Sequence, residues 1–198
     1  MAEGMKEKER CNWPGSDALY IAYHDTEWGV PEYDGRALYE KLVLDGFQAG
    51  LSWITILRKR DNFRKAFHDF DPHRIARYGA RDIDRLLKNE DIIRSQAKIE
   101  AAVKGAKLWL EIEQEKGGFR DFIWKHVKGK PQDNRFKARD QIPTQSEMSE
   151  NLSRDLKQRG FKFCGPVISY AFAQAVGMVN DHVTGCFRHT ECARLGKY

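Results

Sequence analysis

The chain has 198 residues, 41% hydrophobic and 32% charged, with a formal net charge of +5. That supplies a sizeable core for one large domain or two small ones, and no stretch approaches the roughly 18 apolar residues of a membrane span. The segment 1–10 is charged and lacks an apolar signal core, and four cysteines in a chain this long do not make a secreted disulfide framework, so a cytoplasmic protein with reduced thiols is expected.

In chain order, Tyr20-Ile-Ala-Tyr23-His24-Asp-Thr-Glu-Trp28 is dense in aromatic and polar side chains. Asp34 is placed to cap a helix carrying Leu38, Leu42 and Val43. Trp53, Ile56, Leu57, Phe63 and Phe67 fall near one helical face, and Asp71-Pro72 reads as an N-cap followed by a first-turn proline. Ile99, Ala102, Val103, Ala106 and Leu110 predict an amphipathic helix ended by Gly117-Gly118. Residues 128–145 are polar and read as a long loop, a candidate crossing between two lobes. Helices are expected again from Ser149 to Arg159 and from Val167 to Val176, each stopped by a glycine. Period-two alternation is rare, so the fold class is all-α, a single helical domain with 1–9 and 187–198 as loose tails. His189 and Cys192 are placed in the second tail.

Cys11 and His24 stand near one end, His182 and Cys186 near the other. Two thiolates and two imidazoles are the number and kind of ligand a closed tetrahedral zinc site needs. His182-Val-Thr-Gly-Cys186 has the spacing of one helical turn. Spacing alone leaves ordinary buried residues as the alternative, because there is no Cys-x-x-Cys.

Basic residues are concentrated at Arg58-Lys-Arg60 with Arg64-Lys65, and at Arg154, Lys157, Arg159 and Lys162. Such clusters attract phosphate, although each is also what a solvated helix face looks like. The second flanks the turn Gly160-Phe161-Lys162-Phe-Cys-Gly165 between two predicted helices. Exposed backbone N–H groups and the N-terminus of the second helix would suit a DNA phosphate held without sequence readout. Simple helix capping accounts for Gly160 equally well.

In Asp45-Gly-Phe-Gln48-Ala-Gly50-Leu51-Ser-Trp53, small residues flank Gln48 and a large apolar one follows. Core packing is the ordinary role of such aromatics. Taken together with Tyr20 and Tyr23, they form a set able to sandwich a flipped base, with a carboxylate at its edge. Both the aromatic faces and the carboxylate favour a cationic base.

Cys11-Asn-Trp13, Tyr20-Ile-Ala-Tyr-His24-Asp-x-Glu-Trp-Gly29-Val-Pro31, Gln48-Ala-Gly-Leu-Ser-Trp53-Ile-Thr, Arg159-Gly-Phe-Lys-Phe163 and Asn180-Asp-His-Val183 resemble, in this order, the constitutive bacterial type I 3-methyladenine DNA glycosylases. The resemblance runs from about Arg10 to Cys186. It implies a helix-hairpin-helix glycosylase fold, one structural Zn2+ on Cys11, His24, His182 and Cys186, and a hairpin at Gly160–Gly165 (Gly160, Phe161, Lys162, Gly165) that holds DNA. It places Tyr20, Tyr23 and Trp53 around the extruded base, with Asp45 as the catalytic pocket carboxylate. Gln48, Gly50 and Leu51 fall in the loop that wedges into DNA. The family pattern usually has glutamate where this chain has Asp45, so the carboxylate is set back by one methylene. Asn180 stands where related glycosylases outside this family carry a catalytic aspartate, a feature the family itself lacks.

The expected activity is monofunctional release of 3-methyladenine from double-stranded alkylated DNA by a monomer, with no lyase step. A zinc-containing DNA-binding homologue without turnover, and a glycosylase with a base preference altered by Asp45, are the alternatives.

Overall fold

The computed structural model describes residues 9–196, and among these the regular structure is helical apart from one short strand pair. Helix α1 (Ala18–Thr26) begins at Asp17, whose carboxylate accepts from the Tyr20 N–H at 3.0 Å. Helix α2 (Gly35–Gln48) begins at Asp34, which caps the Ala37 N–H at 2.8 Å as the sequence predicts. It buries Leu38, Tyr39, Leu42, Leu44 and Phe47, and also Asp45. Helix α3 (Trp53–Ala66) follows after a four-residue turn.

Helices α4 (Pro72–Ile75) and α5 (Ala80–Leu87) pack on the long α6 (Gln96–Glu113). Gly117 and Gly118 do not end α6 directly. Gly117, at φ +84°, is the N-cap of α7 (Gly118–Trp124), and an alanine there would strike the Asp121 carboxylate.

Helices α8 (Glu147–Arg159) and α9 (Pro166–Ala175) form a hairpin, and α9 packs on α2. Ser146 and Ser149 cap α8 reciprocally. Helix α2 therefore lies between α3, α6, α7 and α9, and a single connected core runs through them all. No described helix is long and apolar enough to cross a membrane.

The structure corrects three expectations. Residues 128–145 are tied down in part: β1 (Gln132–Asp133) pairs in parallel with β2 (Val179–Asn180), and the Thr184 N–H donates to the Phe136 carbonyl at 2.8 Å. The expected C-terminal tail is largely a helix, α10 (Phe187–Leu195), with Arg188, His189 and Cys192 buried. Its apolar and aromatic residues are too few to announce a packed face, which is why the sequence read as a tail. Of the other expected tail, 1–8 lie outside the described residues. Third, His182 and Cys186 do not share a helical turn. They stand in a turn before α10, closed by the Cys186 N–H donating to Val183 at 2.8 Å.

Candidate functional site: an aromatic cleft and a Cys2His2 cluster

The four predicted metal ligands converge. The ligand atoms of Cys11, His24, His182 and Cys186 lie within 4.8 Å of one another, and all four residues are buried. Cys186 Sγ is 3.5 Å from His24 Nε2 and 3.6 Å from His182 Nδ1, and Cys11 Sγ is 3.7 Å from His182 Nδ1. Tetrahedral ligands about an ion of zinc's size stand roughly 3.6 Å apart, given metal–sulfur and metal–nitrogen distances near 2.3 and 2.1 Å.

The second ring nitrogens are spoken for. His24 Nδ1 lies 2.8 Å from Asp25, itself held by Arg10, and His182 Nε2 donates to the Trp28 carbonyl at 2.9 Å. This orients each imidazole with a lone pair towards the cluster, the usual outer arrangement of a metal-binding histidine. The contact between the two sulfurs pulls the Cys186 thiol down, helped by both imidazoles, and pushes the Cys11 thiol up, so the pair shares one proton that a bound metal would displace. The donor set and its spacing fit a four-coordinate ion with no open position.

Beside the cluster lies a cleft of about 480 Å³. Trp13, two residues after Cys11, joins the two: its ring meets His24 edge-on at 5.3 Å between centroids, Tyr20 at 4.8 Å and Trp28 at 5.1 Å. The predicted Tyr20, Tyr23, Asp45, Gln48 and Trp53 all line this cleft, with Tyr23 and Trp53 at 5.5 Å. Tyr170 and Gln174 of α9 form the opposite wall, and both donate to the buried Asp181 carboxylate, at 2.7 and 2.8 Å. Reasoning from sequence missed Trp13, Lys41, Arg139, Tyr170 and Gln174. For Lys41 a signal existed, since it stands one turn before Asp45 on α2.

Three polar atoms in this cleft are buried without a hydrogen bond in the protein: Trp13 Nε1, Trp53 Nε1 and Asp45 Oδ2. Elsewhere the buried indoles are satisfied. Trp109 donates to the Gly35 carbonyl at 2.9 Å and Trp124 to the Glu32 carbonyl at 2.7 Å. Unpartnered buried donors and acceptors are uncommon, and these three belong to residues that line one cleft. The other Asp45 oxygen is ion-paired with Lys41. Burial pushes the Asp45 carboxyl up, and Lys41 pulls it back.

The turn after α2 is exposed at Gly50, Leu51 and Ser52. Gly50 has φ +81°, a conformation that favours glycine, and an added Cβ would meet nothing within 4 Å. Leu51 is 42% exposed beside it. The Lys98 ammonium bonds the carbonyls of Phe47 and Ala49 at 2.9 and 2.7 Å, fixing the end of α2 and so the base of this turn.

At the hairpin, Gly160 closes α8 at φ +102° and Gly165 is the N-cap of α9, with open space where a side chain would point. Lys162 is exposed, whereas Phe161 is buried against Phe119 at 6.0 Å. Phe161 thus anchors the turn, because the core has a slot for its ring beside Gly105.

The two basic clusters differ. Arg58, Arg60 and Arg64 are spent on Asp17, Glu27 and Glu40. Arg154, Lys157 and Lys162 are exposed and make no salt bridge among the described residues, and only Arg159 is paired, with Glu115. Asn180 and Asp181 are buried.

A helical scaffold with an aromatic, carboxylate-bearing cleft beside a hairpin and a Cys2His2 cluster is the architecture of a base-handling protein. A sequence model of the methyladenine glycosylase family matches residues 13–189, and the chain belongs to that family. It is 50% identical to the Escherichia coli (strain K12) DNA-3-methyladenine glycosylase 1 over 178 residues, 90% of this chain and 95% of that one. It is also 50% identical to the Haemophilus influenzae DNA-3-methyladenine glycosylase, over 89% of this chain and 96% of that one. A crystal structure of a 3-methyladenine DNA glycosylase I superposes with a TM-score of 0.88 at 54% identity, covering 90% and 98% of the two chains. The Staphylococcus aureus 3-methyladenine DNA glycosylase I, solved to explain 3-methyladenine recognition, superposes with 0.87 at 42% identity, covering 90% and 95%.

Proposed function

We propose that this protein is a DNA glycosylase that extrudes 3-methyladenine from alkylated duplex DNA and hydrolyses its bond to the sugar. The observation that carries the reading is the cleft itself, lined by aromatic residues, two of which carry unpartnered indole N–H groups, and by Asp45 with an unpartnered carboxylate oxygen. An adenine edge offers an amino donor and ring-nitrogen acceptors to such a set. Methylation at N3 places positive charge on the base and weakens its bond to the sugar, so recognition and extrusion supply most of what catalysis needs. The relatives named above as 3-methyladenine glycosylases, at about half identity over nearly the whole chain, support the same reaction.

Titration with free 3-methyladenine tests the pocket. Saturable quenching of tryptophan fluorescence is expected, lost in Trp53→Ala; quenching unaffected by that substitution would place the base elsewhere.

The hairpin is read as the phosphate-holding element of a helix-hairpin-helix, with the Leu51 turn as the wedge that fills the gap left by the flipped nucleotide. Lys157→Ala and Lys162→Ala are each expected to weaken duplex binding and to lower the slope of log affinity against log salt by about 1. Undiminished slopes in filter-binding assays would exclude these lysines from the DNA contact.

The reaction is monofunctional and water is the nucleophile. Borohydride is expected to trap no covalent protein–DNA adduct during turnover; a trapped adduct would establish a Schiff base and a lyase step.

The Cys2His2 cluster is read as a zinc site. Zinc held there by Cys11, His24, His182 and Cys186 would be closed to water and would supply a cross-link in place of chemistry. It would fix Trp13 and α1 against the segment before α10, and so shape one wall of the cleft.

A further inference from the structure

The base cleft holds a cation of its own. Lys41 stands one turn before Asp45 on α2, is ion-paired with its carboxylate, and has its ammonium 3.8 Å from the centroid of the Trp53 ring. Both side chains are withdrawn from solvent, Lys41 15% exposed and Asp45 1%. A carboxylate and an aromatic face are the two features that favour a positively charged base over a neutral one. In this chain Lys41 already uses both.

We propose that Lys41 is a specificity-determining residue, an internal cation that a positively charged base must displace, so that this pocket favours cationic over neutral bases less than Asp45 and Trp53 alone would dictate. The inference rests on the cleft being the base pocket.

The surroundings provide somewhere for the ammonium to go. Lys41 also lines an adjoining cavity of about 310 Å³, together with Glu27, Glu32 and Glu40. The cations facing that cavity, Arg60 and Arg64, are already paired with Glu27 at 2.8 Å and Glu40 at 2.7 Å. Glu32 bonds the Asp34 backbone N–H. Rotation of the lysine stem exchanges Asp45 for Glu32, the carboxylate of this cavity that has no ion pair among the described residues. The base then gains the Asp45 carboxylate in full, and its net affinity is lowered by the cost of moving Lys41.

Lys41→Met separates this role from simple support of Asp45. The probes are 3,9-dimethyladeninium, which carries a fixed positive charge, and neutral adenine, with binding followed by tryptophan fluorescence. Lys41→Met is expected to bind the cation about 10-fold more tightly, with adenine changed less than about 3-fold, while the melting temperature falls because a buried carboxylate has lost its partner. Lys41→Arg keeps the charge and is expected to stay near wild type for both. Lys41→Gln serves the same purpose if the methionine variant does not fold.

Equal weakening of both ligands, or no gain in preference for the cation, overturns the inference and leaves Lys41 as scaffolding. If the wild type binds neither compound, or binds them unaffected by Trp53→Ala, the base-pocket reading fails first. Wild-type binding that Trp53→Ala abolishes, without a gain in the lysine variants, overturns the role of Lys41 alone.

Discussion

Cys186→Ser is expected to leave the purified protein without metal and to lower its melting temperature by about 10 °C, roughly 4 kcal/mol for a chain of this size. Cys186 Sγ is the hub of the cluster, within 3.6 Å of both histidine ligand atoms. The site bridges Cys11 and His182, which are 171 residues apart in sequence. An ion there closes a long loop and lies in the interior, so binding energy becomes folding energy. Without it, two buried imidazoles and the Cys11 thiol face one another with their shared partner missing. Metal analysis and thermal denaturation of the same sample check this. A variant that kept its metal and its stability but lost base release would make the cluster catalytic, contrary to its closed ligand set.

Asp45→Asn carries a large expected loss of activity at little cost to the fold. Base release is expected to slow about 100-fold, equivalent to roughly 2.7 kcal/mol, while the melting temperature moves by no more than about 5 °C. On the proposed reading, the carboxylate oxygen without a partner would accept from the amino edge of the base, and its charge would favour a cationic substrate. The amide keeps the size and still offers Lys41 an oxygen, and Lys41 has Glu32 of the adjoining cavity as an alternative, so the fold loses little. Parallel loss of activity and stability would make Asp45 a structural residue.

The sequence made much of this legible where local chemistry is decisive. Asp34, Asp71 and Gly160 act as the caps their residue types suggest. The expected pocket residues Tyr20, Tyr23, Asp45 and Trp53 meet in one cleft, as do the four candidate metal ligands in one cluster. What remained hidden depends on contacts remote in sequence. Nothing local in α10 announces that it packs, because its burial comes from α10 meeting β2. The orientation of Phe161 was set by the slot beside Gly105, and the fate of the Arg58–Arg64 cluster by Asp17, Glu27 and Glu40, which lie on other elements. Lys41 was overlooked because its spacing from Asp45 is that of an ordinary helix-surface ion pair, and only the fold shows that this pair lies inside the cleft.

The most direct test of the account is chromatographic measurement of base released from N3-methylated duplex DNA. Free 3-methyladenine is expected to accumulate with enzyme and time, leaving abasic sites in an uncleaved backbone, and Trp53→Ala is expected to stop it. Binding of the duplex with no release above the uncatalysed rate would contradict the account and leave a DNA-binding protein without turnover.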